Sequence, residues 1–227
     1  PVPAAVAQRA EAMGIRVMRA YGSTEHPSIT GSPMTDPADK RTSTDGRSMP
    51  GVDIRLVDED GAAVGGGRPG EILSRGPDLF LGYTNPALTA AAFDPDGWYR
   101  TGDVGILDAD GYLTITDRLS DLIIRGGLNL SAAKIEEHVA TMAGVAEVAV
   151  VAAPDARLGE RACAVIRPVP GAPEVDLASL HRHLTESGLP KQQWPEEVRT
   201  VTDFDRTPSG KIKKRTLRSQ IAAEHRS

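Results

Sequence analysis

Three short stretches of the chain hold side chains suited to chemistry on phosphates and sugars. Tyr21-Gly22-Ser23-Thr24-Glu25 sets hydroxyls and a carboxylate between a predicted strand and a loop, the strand-end position at which open α/β sheets bind ligands. Read alone, the same residues also make a capped turn. Trp98-Tyr99-Arg100-Thr101-Gly102-Asp103 carries an Asp beyond a tight turn, suited to chelating two ribose hydroxyls, although Asp is equally what turn chemistry selects. Thr207-Pro208-Ser209-Gly210-Lys211 presents a Lys beside a flexible Gly, which suits a mobile cation reaching a phosphate. It is not a P-loop, because Gly210-Lys211 runs into Ile212 without the upstream glycine spacing. Its alternative is a solvated basic face.

The elements that must position these residues change character along the chain. Residues 4 to 13 read as a helix stopped by Gly14, and Ile15 to Met18 as a strand running into Tyr21-Gly22. From Ile29 to Gly51 the composition predicts loop. Val52 to Leu56 and Gly70 to Leu73 read as strands, and Ile106-Leu107 with Tyr112 to Thr116 as a hairpin, so a small barrel or sandwich is predicted up to about Asp117. Beyond it the pattern is mixed. Helices are predicted at Ala132 to Met142, with Ser131 as N-cap, at Leu177 to Glu186 and at Thr216 to Glu224; strands fall at Glu147 to Ala152, Ala162 to Ile166 and Val198 to Val201. The expected class is α+β: residues 1–119 with a small β-barrel, followed by a compact α+β domain over 120–227.

The chain has 227 residues, 40% hydrophobic and 25% charged, enough for two packed domains and unlike a disordered or fibrous protein. A net charge of −5 argues against a surface built for nucleic acid, although six Lys or Arg and no acid lie from Arg206 to Arg218. The apolar run at Val148 to Ala153 is too short to span a bilayer. The single cysteine, Cys163, reads as a small buried hydrophobe, and no oxidising compartment is needed, so a cytoplasmic location is the default expectation. His26 reads as structural. His181 and His183, two apart on a predicted helix, share no face, make a poor metal pair and are expected to face solvent.

In order and spacing, Tyr21 to Glu25, Gly70 to Pro77 with Gly82-Tyr83, Tyr99 to Asp103, Asp117-Arg118 through Glu136, and Pro208 to Lys211 resemble the successive core motifs of adenylate-forming enzymes. That family includes acyl-CoA synthetases, luciferases and the adenylation domains of peptide synthetases. The resemblance implies an acid:CoA ligase using ATP, Mg²⁺ and coenzyme A, which forms acyl-AMP and then acyl-CoA from a small fatty or cyclic acid. It implies that Tyr21, beside Gly22, lies against adenine, that Thr24 bonds phosphate and that Glu25 holds Mg²⁺. It further implies that Asp103 chelates the ribose with help from Arg118, and that Lys211 contacts the acyl carboxylate and α-phosphate. The alternative expectation for His26, next to Glu25, is an approach to the acyl carboxylate. Gly126-Gly127 resembles the loop lining the pantetheine tunnel.

The sequence departs from the family at the hinge position, Ser120, where Asp or Lys is usual, and at Ala132 and Lys134, where Pro and Glu are frequent. The family's phosphate loop and acyl pocket precede the Tyr21 position, and no such loop occurs in this chain. The expectation is therefore a carboxy-terminal fragment, inactive alone, whose partner is the missing amino-terminal part of the same enzyme. Two rival readings stand beside it: an adenylation domain loading a carrier protein through the same motifs, and a non-catalytic module whose Arg206 to Arg218 run binds nucleic acid or anionic partners.

Overall fold

A computed structural model describes residues 4–225 of the chain, which divide into two compact units after Leu119. Unit 1 begins with α1 (Ala4–Ala12) and continues through β1 (Ala20–Tyr21), β2 (Thr30–Gly31), α2 (Ala38–Ser43) and β3 (Arg47–Ser48), the three strands forming a small antiparallel sheet. The strand expected at Ile15 to Met18 does not form. Val17 N–H donates to Glu11 at 2.8 Å and Arg41 donates to the Val17 carbonyl, so side chains satisfy this backbone in place of a neighbouring strand. The predicted loop from Ile29 to Gly51 contains α2 and two short strands.

The second sheet of unit 1 runs in the order β5 (Ala63–Val64), β4 (Asp53–Val57), β6 (Gly70–Arg75), β7 (Tyr99–Leu107) and β8 (Leu113–Arg118). It is open where the sequence suggested a small barrel. The β8 edge is taken up instead by the loop before β3. Asp45 N–H donates to the Leu113 carbonyl at 2.7 Å and Leu113 N–H donates to the Gly46 carbonyl at 2.8 Å. Asp45 is itself buried against Arg19 at 2.7 Å and accepts from Ile115 N–H at 2.9 Å. With the edge already satisfied, nothing draws β5 round to close a cylinder. Ile72, Leu113, Leu56 and Ile29 form the core beside Tyr21. Helix α3 (Pro86–Ala92), not foreseen, starts as local rules require, with Pro86 in the first turn and the Asn85 side chain accepting from Ala87 N–H at 3.0 Å.

Unit 2 opens with the hairpin β9 (Leu122–Arg125) and β10 (Leu128–Ser131), followed by α4 (Ala132–Val139), β11 (Val145–Asp155), β12 (Gly159–Pro168), α5 (Leu177–Glu186), β13 (Glu197–Thr200) and α6 (Lys214–Glu224). Strand β12 pairs antiparallel with β11 and parallel with β13. Because side chains alternate across a strand, Val150, Ala152, Ala164 and Ile166 face α4 and α5, where Ile135, Val139, Leu180 and Leu184 meet them. Ala149, Val151, Cys163 and Val165 face the other way, onto Phe204 and Ile221 of the α6 side. A sheet covered on both faces explains why β11 and β12 read as unbroken apolar runs. Cys163 is fully buried as expected, and burial pushes its thiol up to about 12.

His181 and His183, expected to face solvent, are only half-exposed, because both rings are bonded to neighbouring backbone. His181 Nε2 bonds the Pro195 carbonyl at 2.7 Å with its ring against Trp194, and His183 Nε2 lies 3.0 Å from the His138 carbonyl. Among the described residues no helix is long and apolar enough to cross a membrane.

Candidate functional site

In unit 1 the fold brings together residues far apart in sequence. The Tyr21 hydroxyl, on a side chain only 9% exposed, donates to Asp103 Oδ2 at 2.7 Å. The other oxygen, Oδ1, lies 3.2 Å from Arg118 Nε. The reason is register: β7 and β8 pair Asp103 with Arg118, and Tyr21 ends the short strand that packs beside them. Burial, then the Asp103 charge, holds the Tyr21 phenol well above its ordinary range, so it stays a donor. The carboxylate, midway along β7, is therefore fixed by a donor on each oxygen, Tyr21 from the end of β1 and Arg118 from the end of β8.

The loop after Tyr21 is folded back on itself. Ser23 N–H donates to the His26 carbonyl at 2.9 Å, and His26 N–H donates to the Ser23 hydroxyl at 3.2 Å. Gly22 has no room for a side chain, since a Cβ there would sit 2.0 Å from the Pro27 carbonyl oxygen. This crowding, a signal absent from composition, makes Gly22 a packing requirement. Thr24 is exposed at the turn, and Glu25 is half-buried. Tyr83, which the sequence marks only as part of a motif, donates its hydroxyl to Glu25 Oε1 at 2.8 Å, and Phe80 N–H donates to the Glu25 carbonyl at 2.7 Å. Burial raises the Glu25 carboxyl, but hydrogen bonds from Tyr83, its own backbone and Ser23, with the Arg118 charge, outweigh that and hold it below the usual range. Among the described residues no cluster of three metal-binding side chains exists. A single carboxylate held ionised still suits Mg²⁺, which is bound through one or two carboxylates and substrate phosphates.

His26 is fully buried, with Nδ1 2.8 Å from the Ser74 hydroxyl and Nε2 3.1 Å from Asp78. It is held inside the fold, as a structural histidine is, and burial, opposed by Asp78, lowers its pKa.

Unit 2 holds the remaining candidates. Ser120 is exposed in the 3-10 turn Leu119–Asp121, and its carbonyl accepts from Arg218 at 3.2 Å. Gly126 and Gly127 form the two-residue turn between β9 and β10, with φ of 56° and 86°. Two positive φ angles are what a tight hairpin of this hand demands, so the glycines have a structural reason independent of any ligand. The space around Gly127 is nevertheless open, with nothing within 4 Å of a built Cβ. Lys211 is exposed on a small hairpin closed by the Arg206–Ile212 bridge and by Thr207 N–H donating to the Lys211 carbonyl at 2.8 Å. Its ammonium has no partner among the described residues.

Residues 1–84 match the model of the AMP-binding enzyme family, and residues 134–211 that of the AMP-binding enzyme C-terminal domain. Medium-chain fatty-acid–CoA ligase of Escherichia coli strain K12 is 37% identical over 223 residues, covering 97% of this chain and 39% of the relative. The ATP-bound structure of MatB from Rhodopseudomonas palustris superposes with a TM-score of 0.86 at 34% identity, covering 97% of this chain and 44% of that one. Amide bond synthetase McbA from Marinactinospora thermotolerans gives 0.80 at 34% identity, again over 97% of this chain and 44% of that chain. The chain belongs to the adenylate-forming, AMP-binding enzyme superfamily. It spans about 40% of the length of the curated relatives that it matches.

Proposed function

We propose that the protein containing this chain is an ATP-dependent acid:CoA ligase that activates a small carboxylic acid as acyl-AMP and transfers the acyl group to coenzyme A. The observation that carries the reading is the convergence of Tyr21, Arg118 and Asp103 from three sequence motifs onto one carboxylate, 2.7 Å and 3.2 Å from its partners. In this reading residues 1–119 belong to the large nucleotide-binding domain and residues 120–227 are the mobile carboxy-terminal domain. Asp103 holds the ribose hydroxyls, Tyr21 and Gly22 line the adenine, and Thr24 bonds a phosphate. Glu25 would hold Mg²⁺, which supplies neutralisation of phosphate charge.

Lys211 has the properties of a cation delivered from outside. It has no partner among the described residues and sits on a hairpin, free to stabilise charge that develops as the acid attacks the α-phosphorus. Gly126-Gly127, at the opposite end of the unit's sequence, would border the path of the thiol, with Ser120 at the hinge between the two orientations. Relatives that include a CoA ligase and an amide bond synthetase support the shared adenylation step and leave the acceptor to be measured. The basic run does not favour a nucleic-acid module: Arg206, Lys214 and Arg218 are each paired with an acid from elsewhere in unit 2, namely Glu147, Glu136 and Glu160.

The test uses the full-length protein and separates the half-reactions. Acid-dependent pyrophosphate release should fall on the order of 10²–10³ in Lys211→Ala, the usual cost of removing a preorganised electrostatic contact. Thioester formation from synthetic acyl-AMP and CoA should persist. Equal loss of both half-reactions would defeat the alternating use of unit 2, and retained adenylation would remove Lys211 from the site. Transfer to a carrier protein but not to free CoA would replace the acceptor.

A further inference from the structure

We propose that Arg206 and Glu147 form a clamp that positions the Lys211 hairpin, making both of them positioning residues for adenylation; this rests on the reading of Lys211 given above. The hairpin needs such a device. It has one bridge, Arg206 with Ile212, and a few turn bonds: Thr207 N–H to the Lys211 carbonyl, Gly210 N–H to the Thr207 carbonyl, and Lys213 N–H to the Asp205 carbonyl, each 2.8 Å. Two-stranded hairpins of this size are marginal in water on their own.

The Arg206 guanidinium ties the turn to the sheet. Its Nη2 donates to Glu147 Oε2 at 2.7 Å, and its Nη1 reaches the Gly210 carbonyl at 3.3 Å, in the peptide group that leads directly into Lys211. Glu147 is fixed in turn by Arg167, whose Nε donates to the same carboxylate oxygen at 2.6 Å from the paired position on β12. A bulge at the start of β11, where Val145 pairs with Pro168 and Glu147 with Arg167, leaves Ala146 unpaired. Bulges re-aim the side chains beside them, and this one sits directly before Glu147. Asp203, 3.6 Å from Arg206, completes the charges around the guanidinium.

The residue type matters. A planar guanidinium fork bonds a carboxylate and a carbonyl at once, whereas an ammonium is a point charge. Glu147 is engaged by Arg206 and Arg167, and Asp203 lies beside Arg206, while Lys211 has no partner among the described residues. A braced backbone with a free ammonium at its tip lowers the ordering needed when the lysine enters the reaction.

The experiment compares full-length Arg206→Ala, Arg206→Lys, Glu147→Gln and Lys211→Ala. Arg206→Ala should lower the kcat for acid-dependent pyrophosphate release roughly 10- to 100-fold through misplacement of the lysine, with KM for ATP and thioester formation from synthetic acyl-AMP unchanged. Arg206→Lys, which keeps the charge but cannot span both acceptors, should be as impaired, and Glu147→Gln should fall between. Amide hydrogen exchange of the Thr207 to Ile212 peptide should quicken in the Arg206 variants while β11 and β12 stay protected. Restoration of activity by Arg206→Lys, equal loss of both half-reactions, or unchanged exchange at the hairpin would each overturn the clamp. Normal adenylation in Lys211→Ala would instead overturn the role given to that lysine, and the exchange measurement would still decide whether Arg206 braces the turn.

Discussion

The contact between Tyr21 and Asp103 makes a quantitative demand on unit 1. The phenol is nearly buried and donates at 2.7 Å to a carboxylate whose side chain is 16% exposed, whereas Arg118 on the other oxygen is 58% exposed. A hydrogen bond to a charged group contributes about 1.5–3 kcal/mol, and a pair with so exposed a partner about 0–1 kcal/mol. Tyr21→Phe should therefore cost about 1.5 kcal/mol, and Asp103→Ala about 2–3 kcal/mol, because it also strands a buried hydroxyl. The double variant should be less destabilised than the sum, with a coupling of about 1–2 kcal/mol, while the cycle of Asp103 with Arg118 should stay below about 0.5 kcal/mol. Urea unfolding of the 227-residue chain in a Trp194→Phe background measures this. The remaining tryptophan, Trp98, lies between the Arg55 and Arg75 guanidiniums at 4.7 Å and 4.6 Å and reports unit 1 alone. Additivity of Tyr21→Phe and Asp103→Ala within about 0.3 kcal/mol would refute the argument, since contacting residues must couple. The carboxylate would then not be preset by the phenol, and the case for a prepared ribose site would fall with it.

Two further outcomes follow from the same geometry. Gly22→Ala places a Cβ 2.0 Å from the Pro27 carbonyl oxygen, so backbone must move; a loss of about 3 kcal/mol is expected in the same urea assay, and an unchanged midpoint would show that the loop yields freely. Glu147 is held below its ordinary value of 4.5, first by the Arg167 hydrogen bond and then by that of Arg206. A carboxyl depressed in the folded state gives stability that is fully present above pH 4.5 and is lost as the pH falls through the lower folded value. Unit 2 of the wild type should thus destabilise more steeply with acid than Glu147→Gln, as read by Trp194 fluorescence in a Trp98→Phe background; parallel pH profiles would count against the ion pair.

Much of this protein is legible from local patterns. Gly14 stops α1, Ser131 caps α4, and the periodicities at Ile135 with Val139 and at Leu180 with Leu184 set which faces are buried. These features depend on residues within a turn or two of one another, which is the range over which propensity and capping act. Where the reading failed, the deciding partner was remote. Ile15 to Met18 has strand composition but found Glu11 and Arg41 instead of a neighbour, and the predicted barrel stayed an open sheet because Asp45 and Gly46 occupy the β8 edge. The candidate residues themselves could be named from motif order. Their partners could not, because Tyr21 and Asp103 are 82 positions apart, Glu25 and Tyr83 58, and Glu147 and Arg206 59. No local periodicity spans such separations. Which donor meets which carboxylate is set by strand register and by the bulges at Val104/Gly105 and Val145/Glu147, and these exist only once the sheets have assembled.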